Sequence, residues 1–288
     1  MAPVERPSGL ERRALVLGGG GVAGIAWHTG ALLGLAEAGL DLDGVDLVVG
    51  TSAGATVAAQ VAGGTPLGVW FQRQIDPALQ NRELANTGLS IGELFEIMIR
   101  LHEEIADPAE RRRRIAAMAL ATDTVPEAVR SSVVAGRLHT HDWPERSIAI
   151  VAVDALSGGR HVFDRSSGVD LVDAVAASSA VPGVWPPVTI GASRYVDGGV
   201  YSSCNADLAA GYDRVLVLAP VVDPALDEQL SLIRSSGSVE LLSPDGASQA
   251  AFGPDPLDPS VRSPVARAGR SQGDQAAAFL RRYWNDPE

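Results

Sequence analysis

A three-layer α/β/α fold with a mainly parallel central sheet is what this sequence predicts, on three observations. Short apolar runs at residues 14–17, 147–153 and 214–219 have the length and composition of strands buried on both faces. Segments with helical spacing of apolar positions lie between them. The first two strands each lead into a glycine-rich turn and a helix, the order that gives parallel strands joined by right-handed crossovers.

Residues 14–17 (ALVL) form the first strand and residues 22–38 a helix, with Ile25, Leu32, Leu33 and Leu35 apolar and Gly39 placed to stop it. Residues 46–49 make a second strand, 50–54 a tight turn and 55–62 a second helix. Residues 89–121 are helical twice. Ser90 and Glu93 form a capping-box signature ahead of Leu94, Phe95, Met98 and Leu101, and Asp107-Pro108 with Glu110 starts another helix. The apolar face of residues 89–101 reads as core, or as a lid or interface-binding surface. The arginines 111–114 fall in the first turns of the second helix, where the dipole disfavours cations; they read as a solvated face or a phosphate-headgroup contact.

Residues 147–153 (SIAIVAV) give the clearest strand, 171–179 a helix, 180–188 (AVPGVWPPV) a rigid loop, 193–196 a short strand and 214–219 the last strand. Beyond Pro220 the composition shifts. Gly, Ser, Pro, Asp and Ala dominate residues 235–273 without sustained periodicity, so an irregular stretch is expected there, followed by a helix at 276–283. The chain thus divides into a domain at 11–220 and a C-terminal extension at 221–288, whose last helix packs on the same domain.

A net charge of −12 over 288 residues argues against a nucleic-acid partner, because phosphate neutralisation dominates such binding. It also argues against adsorption to an anionic membrane through overall charge. One cysteine, Cys204, excludes an intrachain disulfide and suits a reducing compartment. The stretch MAPVERPSGLERR lacks the apolar run of a signal peptide, and no segment has the roughly 18 continuous apolar residues of a spanning helix. A cytoplasmic protein is expected, with any membrane contact peripheral. No His/Cys/Asp cluster has metal-ligand spacing, and no cofactor is expected.

Three motifs carry the chemistry. VLGGGGVAG, residues 16–24, places Gly19, Gly20, Gly21 and Gly24 between a strand and a helix, where bare backbone lets N–H groups approach a phosphate or an oxyanion. Gly50-Thr51-Ser52-Ala53-Gly54 matches G-x-S-x-G in the strand–turn–helix context of a nucleophile elbow, which presents the Ser52 hydroxyl at the strand's carboxyl end. Asp197-Gly198-Gly199 follows a strand; alone it reads as a hairpin turn, but with the elbow and the glycine loop it reads as the base. The five histidines fit the role poorly, since none follows a late strand, and His28 is placed for a core or helix-surface role. Cys204 reads as a small buried residue that could flank the site.

These residues resemble the patatin-like lipid acyl hydrolases, over residues 14–219 and in order. Residues 19–24 are similar to that family's oxyanion loop, 50–54 to its elbow, 197–199 to its Asp-Gly-Gly/Ala motif, and 178–188 (SSAVPGVWPPV) to the segment preceding the aspartate. The resemblance implies a patatin-like fold, a catalytic domain at 11–220, and a Ser-Asp dyad with Ser52 as nucleophile and Asp197 as base. It further implies an oxyanion hole from Gly19, Gly20, Gly21 and Ala53, and lipid carboxylic esters as substrates: phospholipid, lysophospholipid or acylglycerol. Aspartate is a weaker base than histidine by roughly 3.5 kcal/mol in reference pKa terms. Burial and oxyanion donors worth roughly 3 to 4 kcal/mol each can offset this. One position departs from the family: Ala23 stands where a Lys or Arg is common.

Two other readings compete. Gly19-x-Gly21-x-x-Gly24 also satisfies the dinucleotide-binding fingerprint, but the acid that fold needs at the end of the second strand is missing, Asp46 being at the wrong end. The other is a catalytically weak lipid- or partner-binding module of the same fold.

Overall fold

A computed structural model describes residues 11–285; the reading that residues 1–10 hold no signal sequence lies outside them. In chain order the elements are β1 (Arg13–Leu17), α1 (Gly21–Glu37), β2 (Leu47–Thr51), α2 (Ala53–Ala62), α3 (Leu67–Ile75), α4 (Ile91–Glu104), α5 (Pro108–Ala121) and α6 (Glu127–Arg137). There follow β3 (Ser147–Asp154), β4 (Arg160–Phe163), α7 (Leu171–Ser178), β5 (Val188–Ile190), β6 (Ser193–Asp197), β7 (Arg214–Leu218), α8 (Leu226–Arg234), β8 (Ser238–Leu242), α9 (Gly246–Phe252) and α10 (Arg262–Trp284).

The strands form one sheet in the order β5-β6-β3-β2-β1-β7-β8, with β4 also paired to β3. The run β3-β2-β1-β7-β8 is parallel throughout, as expected, while β4 and β6 run antiparallel to β3, and β5 antiparallel to β6. Alternation along the strands feeds two apolar layers. Leu15, Leu17, Val48, Ile150, Leu216 and Leu218 pack under α1, α2, α7 and α10. Ala14, Val16, Val49, Val151, Val215 and Val217 pack under α8 and the turn at Ala206–Ala209.

Local signals placed several elements well. The Ser90–Glu93 capping box is formed in both directions, and Asp107 caps α5 with Pro108 in its first turn. α3, α6, β4, β5 and α8 have no counterpart among the elements expected from the sequence. The expected irregular stretch at 235–273 is instead β8, α9 and the first half of α10. β8 extends the parallel sheet beside β7, and α10 runs 23 residues against α1. The small residues that hid this helix are what its packing requires. A Cβ on Gly269 would lie 2.6 Å from the Trp27 carbonyl oxygen, and one on Gly273 2.2 Å from that of Ala31.

Candidate active site

β3 sets the geometry of the site. Ala152 and Val153 pair with β4 on one edge and with β6 on the other, while Ile150 and Val151 pair with β4 and with β2. β2 and β6 therefore share one edge of β3 and meet almost end to end. Thr51 lies opposite Val151 and Asp197 opposite Ala152. The base candidate was expected at a strand end like that of Ser52; it reaches the same place from an antiparallel strand entering from the opposite side.

Ser52 follows Thr51 directly with φ 54° and ψ −111°, one of two non-glycine residues with positive φ among those described. Such a conformation in a residue with a Cβ is strained and persists only where the surroundings over-determine it. They do so here. The Ser52 N–H donates to Ser178 Oγ (2.9 Å), which itself donates to the Val151 carbonyl (2.6 Å). A Cβ on Gly54 would stand 1.9 Å from the Leu17 carbonyl oxygen, so Gly54 lets the turn lie against β1, and one on Gly50 would stand 2.6 Å from Ala55 Cα, so Gly50 lets the turn fold back on the start of α2.

Asp197 leads into a short 3₁₀ turn, Gly198–Val200, rather than a hairpin. The Asp197 N–H donates to the Ala180 carbonyl (2.9 Å), and Gly199 N–H donates to its Oδ1 (2.7 Å). Gly198 has no room for a side chain: a Cβ would lie 2.3 Å from the Val151 carbonyl oxygen. Asn205 bridges the two motifs, its Nδ2 donating to Thr51 Oγ1 (3.1 Å) and to the Gly198 carbonyl (3.4 Å). Ser52 is 7% exposed and Asp197 5%. Burial pushes the Asp197 carboxyl up to about 6, against opposing pulls from the Ser52 hydroxyl, the Gly199 N–H and the Arg130 charge. The Ser52 hydroxyl is near enough to act on the carboxyl, but Asp197 Oδ2 is buried with no aligned hydrogen bond among the described residues. Catalytic hydrogen bonds commonly tighten only when substrate is bound.

The glycine loop lies beside Ser52, with the Cβ position of Gly19 3.6 Å from Ser52 Cβ. The Gly19 N–H, expected to face an oxyanion, instead donates to the Ser203 carbonyl (2.8 Å), which fixes the loop. The N–H groups of Gly20, Gly21 and Ala53 have no acceptor among the described residues, and the last two open α1 and α2. Gly24 lets these helices approach, its Cβ position being 3.1 Å from Ala53 Cβ. His28 has the core role expected of it: it is fully buried and donates through Nε2 to the Gly18 carbonyl (2.9 Å). Burial lowers it to about 4, so it is neutral near pH 7. Cys204 packs beneath Gly18, and burial pushes its thiol up to about 12.

The cavity over Ser52 has an empty volume of about 300 Å³ including its mouth. Its walls include Gly21, Ala53, Arg130, Arg137, Trp185 and Leu257. Arg130, Trp185 and Leu257 were not singled out in the sequence, and Leu257 comes from beyond the expected domain limit. Asp46 lies before β2, its Oδ2 accepting from Arg13 N–H (2.8 Å), so the carboxyl end of β2 carries the elbow and no ribose-binding acid. The described residues contain no cluster of three or more metal-ligating side chains and no helix long and apolar enough to cross a membrane.

The family model described as patatin-like phospholipase matches residues 15–210. Among solved structures, VipD from Legionella pneumophila superposes with a TM-score of 0.50 at 12% identity, over 94% of this chain and 67% of that one. The ExoU chain of the ExoU–SpcU complex, from the type III secretion system of Pseudomonas aeruginosa, gives 0.43 at 20% identity, over 96% of this chain and 53% of that one. The chain thus spans about half the length of ExoU. No curated relative matches by sequence.

Proposed function

Because this chain belongs to the patatin-like phospholipase family, we propose that it is a serine hydrolase of lipid carboxylic esters, with Ser52 as nucleophile and Asp197 as its base. The observation that carries the reading is the meeting of β2 and β6 on one edge of β3, which brings a strained serine against a buried, partly unpaired carboxylate. Ser52 Oγ attacks the ester carbonyl while Asp197 accepts its proton. The N–H groups of Gly20, Gly21 and Ala53, at the amino ends of α1 and α2, bind the developing oxyanion. The C–O bond breaks, the alcohol leaves with the proton from Asp197, and water activated by the same carboxylate releases the acid from the acyl-enzyme. No basic side chain stands at Ala23, so loop stabilisation comes from backbone donors alone.

Peripheral contact with a lipid surface belongs to this reading. α4 buries Leu94 in the cluster with Val184 and Trp185 beside the cavity, and turns Phe95 and Ile99 outward, 52% and 60% exposed. Their i, i+4 spacing puts both on one face.

An alkyl fluorophosphonate is expected to label Ser52, as read by mass spectrometry. Ser52→Ala is expected to lower kcat by about 10⁴-fold or more across phospholipids, lysophospholipids, acylglycerols and short esters. A label on another serine, or equal turnover by both proteins, would overturn the assignment; equal absence of turnover would favour a binding module of the same fold.

A further inference from the structure

Three arginines and one glutamate are buried together at the back of the Ser52 cavity. Arg130 and Arg137 come from α6, Arg262 from the start of α10, and Glu83 from the segment between α3 and α4. Glu83 accepts from Arg137 Nη2 at 2.9 and 2.8 Å, from Arg262 Nη2 at 2.5 Å and from Arg130 Nη1 at 3.4 Å. Burial alone would raise Glu83, but the three guanidinium groups, Arg137 foremost, hold it below the ordinary range. One carboxylate therefore faces three cations. The next acid in reach of Arg130 is Asp197.

Buried ions are tolerated where charge and hydrogen-bonding capacity are both met. Here neither is. The Nε–H groups of Arg130 and Arg137 are buried with no partner among the described residues, and burial lowers Arg130 to about 9. Arg130 is also the least committed of the three, with the longest contact to Glu83 and its guanidinium 4.0 Å over the Trp185 ring. Both Arg130 and Arg137 line the cavity that holds Ser52. A second cavity behind it shares Val22, Ile25 and Arg137 and adds Arg73 and Arg262.

We propose that Arg130 and Arg137 form an anion subsite that binds the phosphate of a phosphodiester-headgroup lipid while its ester carbonyl lies at Ser52; this rests on the hydrolase reading above. Guanidinium forks match the paired oxygens of a phosphate and are more weakly hydrated than an ammonium, which suits a sheltered wall. The subsite supplies, from α6, the side-chain cation that Ala23 does not supply from the glycine loop.

The test uses the full chain as parent, Ser52→Ala, Arg130→Gln and Arg130→Lys. Thermal melting is followed with inorganic phosphate, with sn-glycerol 3-phosphate, and with glycerol as the neutral control. Both phosphates are expected to raise Tm in the parent and in Ser52→Ala, and to lose at least half of that shift in Arg130→Gln, with Arg130→Lys between. This readout needs no turnover, so an inactive Ser52 would overturn the hydrolase reading and leave the subsite standing. In kinetics, Arg130→Gln is expected to lower kcat/KM for a short-chain phosphatidylglycerol at least tenfold more than for p-nitrophenyl butyrate, chiefly through KM. Equal losses on both substrates, or an undiminished phosphate shift in Arg130→Gln, would make the cluster structural only. A diminished shift without the kinetic split would assign the subsite to free phosphate and remove the lipid. Should Arg130→Gln fail to fold, Arg130→Lys keeps the charge, loses the fork, and must show the same effects in weaker form.

Discussion

In the proposed mechanism single residues carry the chemistry, and Asp197 carries its pH dependence. As a base it must be ionised, so kcat/KM is expected to rise as pH passes about 6 and to level above it. The same shift acts on stability with the opposite sense. Folding raises the carboxyl from 3.8 to about 6, so the folded state favours the protonated form; the added stability is full below 3.8 and is lost as pH rises through 6. About 2 units correspond to roughly 3 kcal/mol. Asp197→Asn is therefore expected to abolish turnover while raising the urea-unfolding free energy at pH 8 by about 1–3 kcal/mol. Unchanged or lower stability at pH 8 would mean that the carboxylate is satisfied in the fold. Ser52 and Asp197 were legible because each sits in a local motif between a strand and a helix or turn. Arg130 was not, being one of two arginines on a helix with no motif around them. The conspicuous arginines 111–114 instead have local partners: Arg111 donates to the Ile105 carbonyl, Arg112 to that of Gly158, and Arg113 and Arg114 pair with Glu110.

In the proposed reading, whole elements decide how a lipid would reach these residues. α4 joins the surface to the cavity wall, since the helix that exposes Phe95 and Ile99 buries Leu94 with Trp185. Phe95→Ser with Ile99→Ser is expected to cut co-sedimentation with phosphatidylcholine vesicles severalfold, whereas equal binding by parent and variant would remove α4 from the membrane contact. The start of α4 was readable from Ser90 and Glu93 and that of α5 from Asp107 and Pro108, because caps are local. The position of the segment at 178–188 was also readable, but not its work. Ser178 accepts from the Ser52 N–H, Ala180 from the Asp197 N–H, and Trp185 lies under Arg130, contacts that depend on strand register rather than neighbouring sequence.

For the whole molecule, the close crossing of α1 and α10 is the main determinant missed in the sequence. Gly30 and Gly34 meet Ala266 and Arg270, while Gly269 and Gly273 meet Trp27 and Ala31, with added Cβ atoms falling 2.1 to 2.6 Å from backbone oxygens. Read alone, a helix rich in Gly, Ser and Arg looks like a loop; its pattern makes sense only beside its partner. Gly273→Ala is expected to lower unfolding free energy by about 1–3 kcal/mol through overpacking, seen as a lower Tm. An unchanged Tm would mean that the helices part at no cost. α10 also gives Arg262 to the Glu83 cluster, and the loop before it seals the glycine turn, Pro256 accepting from the Ala23 N–H at 2.9 Å and Leu257 walling the cavity. Ser52 and Asp197 thus precede in the chain the wall that Leu257 supplies, so a nascent chain holds both members of the proposed dyad before α10 and the loop ahead of it close the cavity, and the proposed hydrolysis awaits their docking.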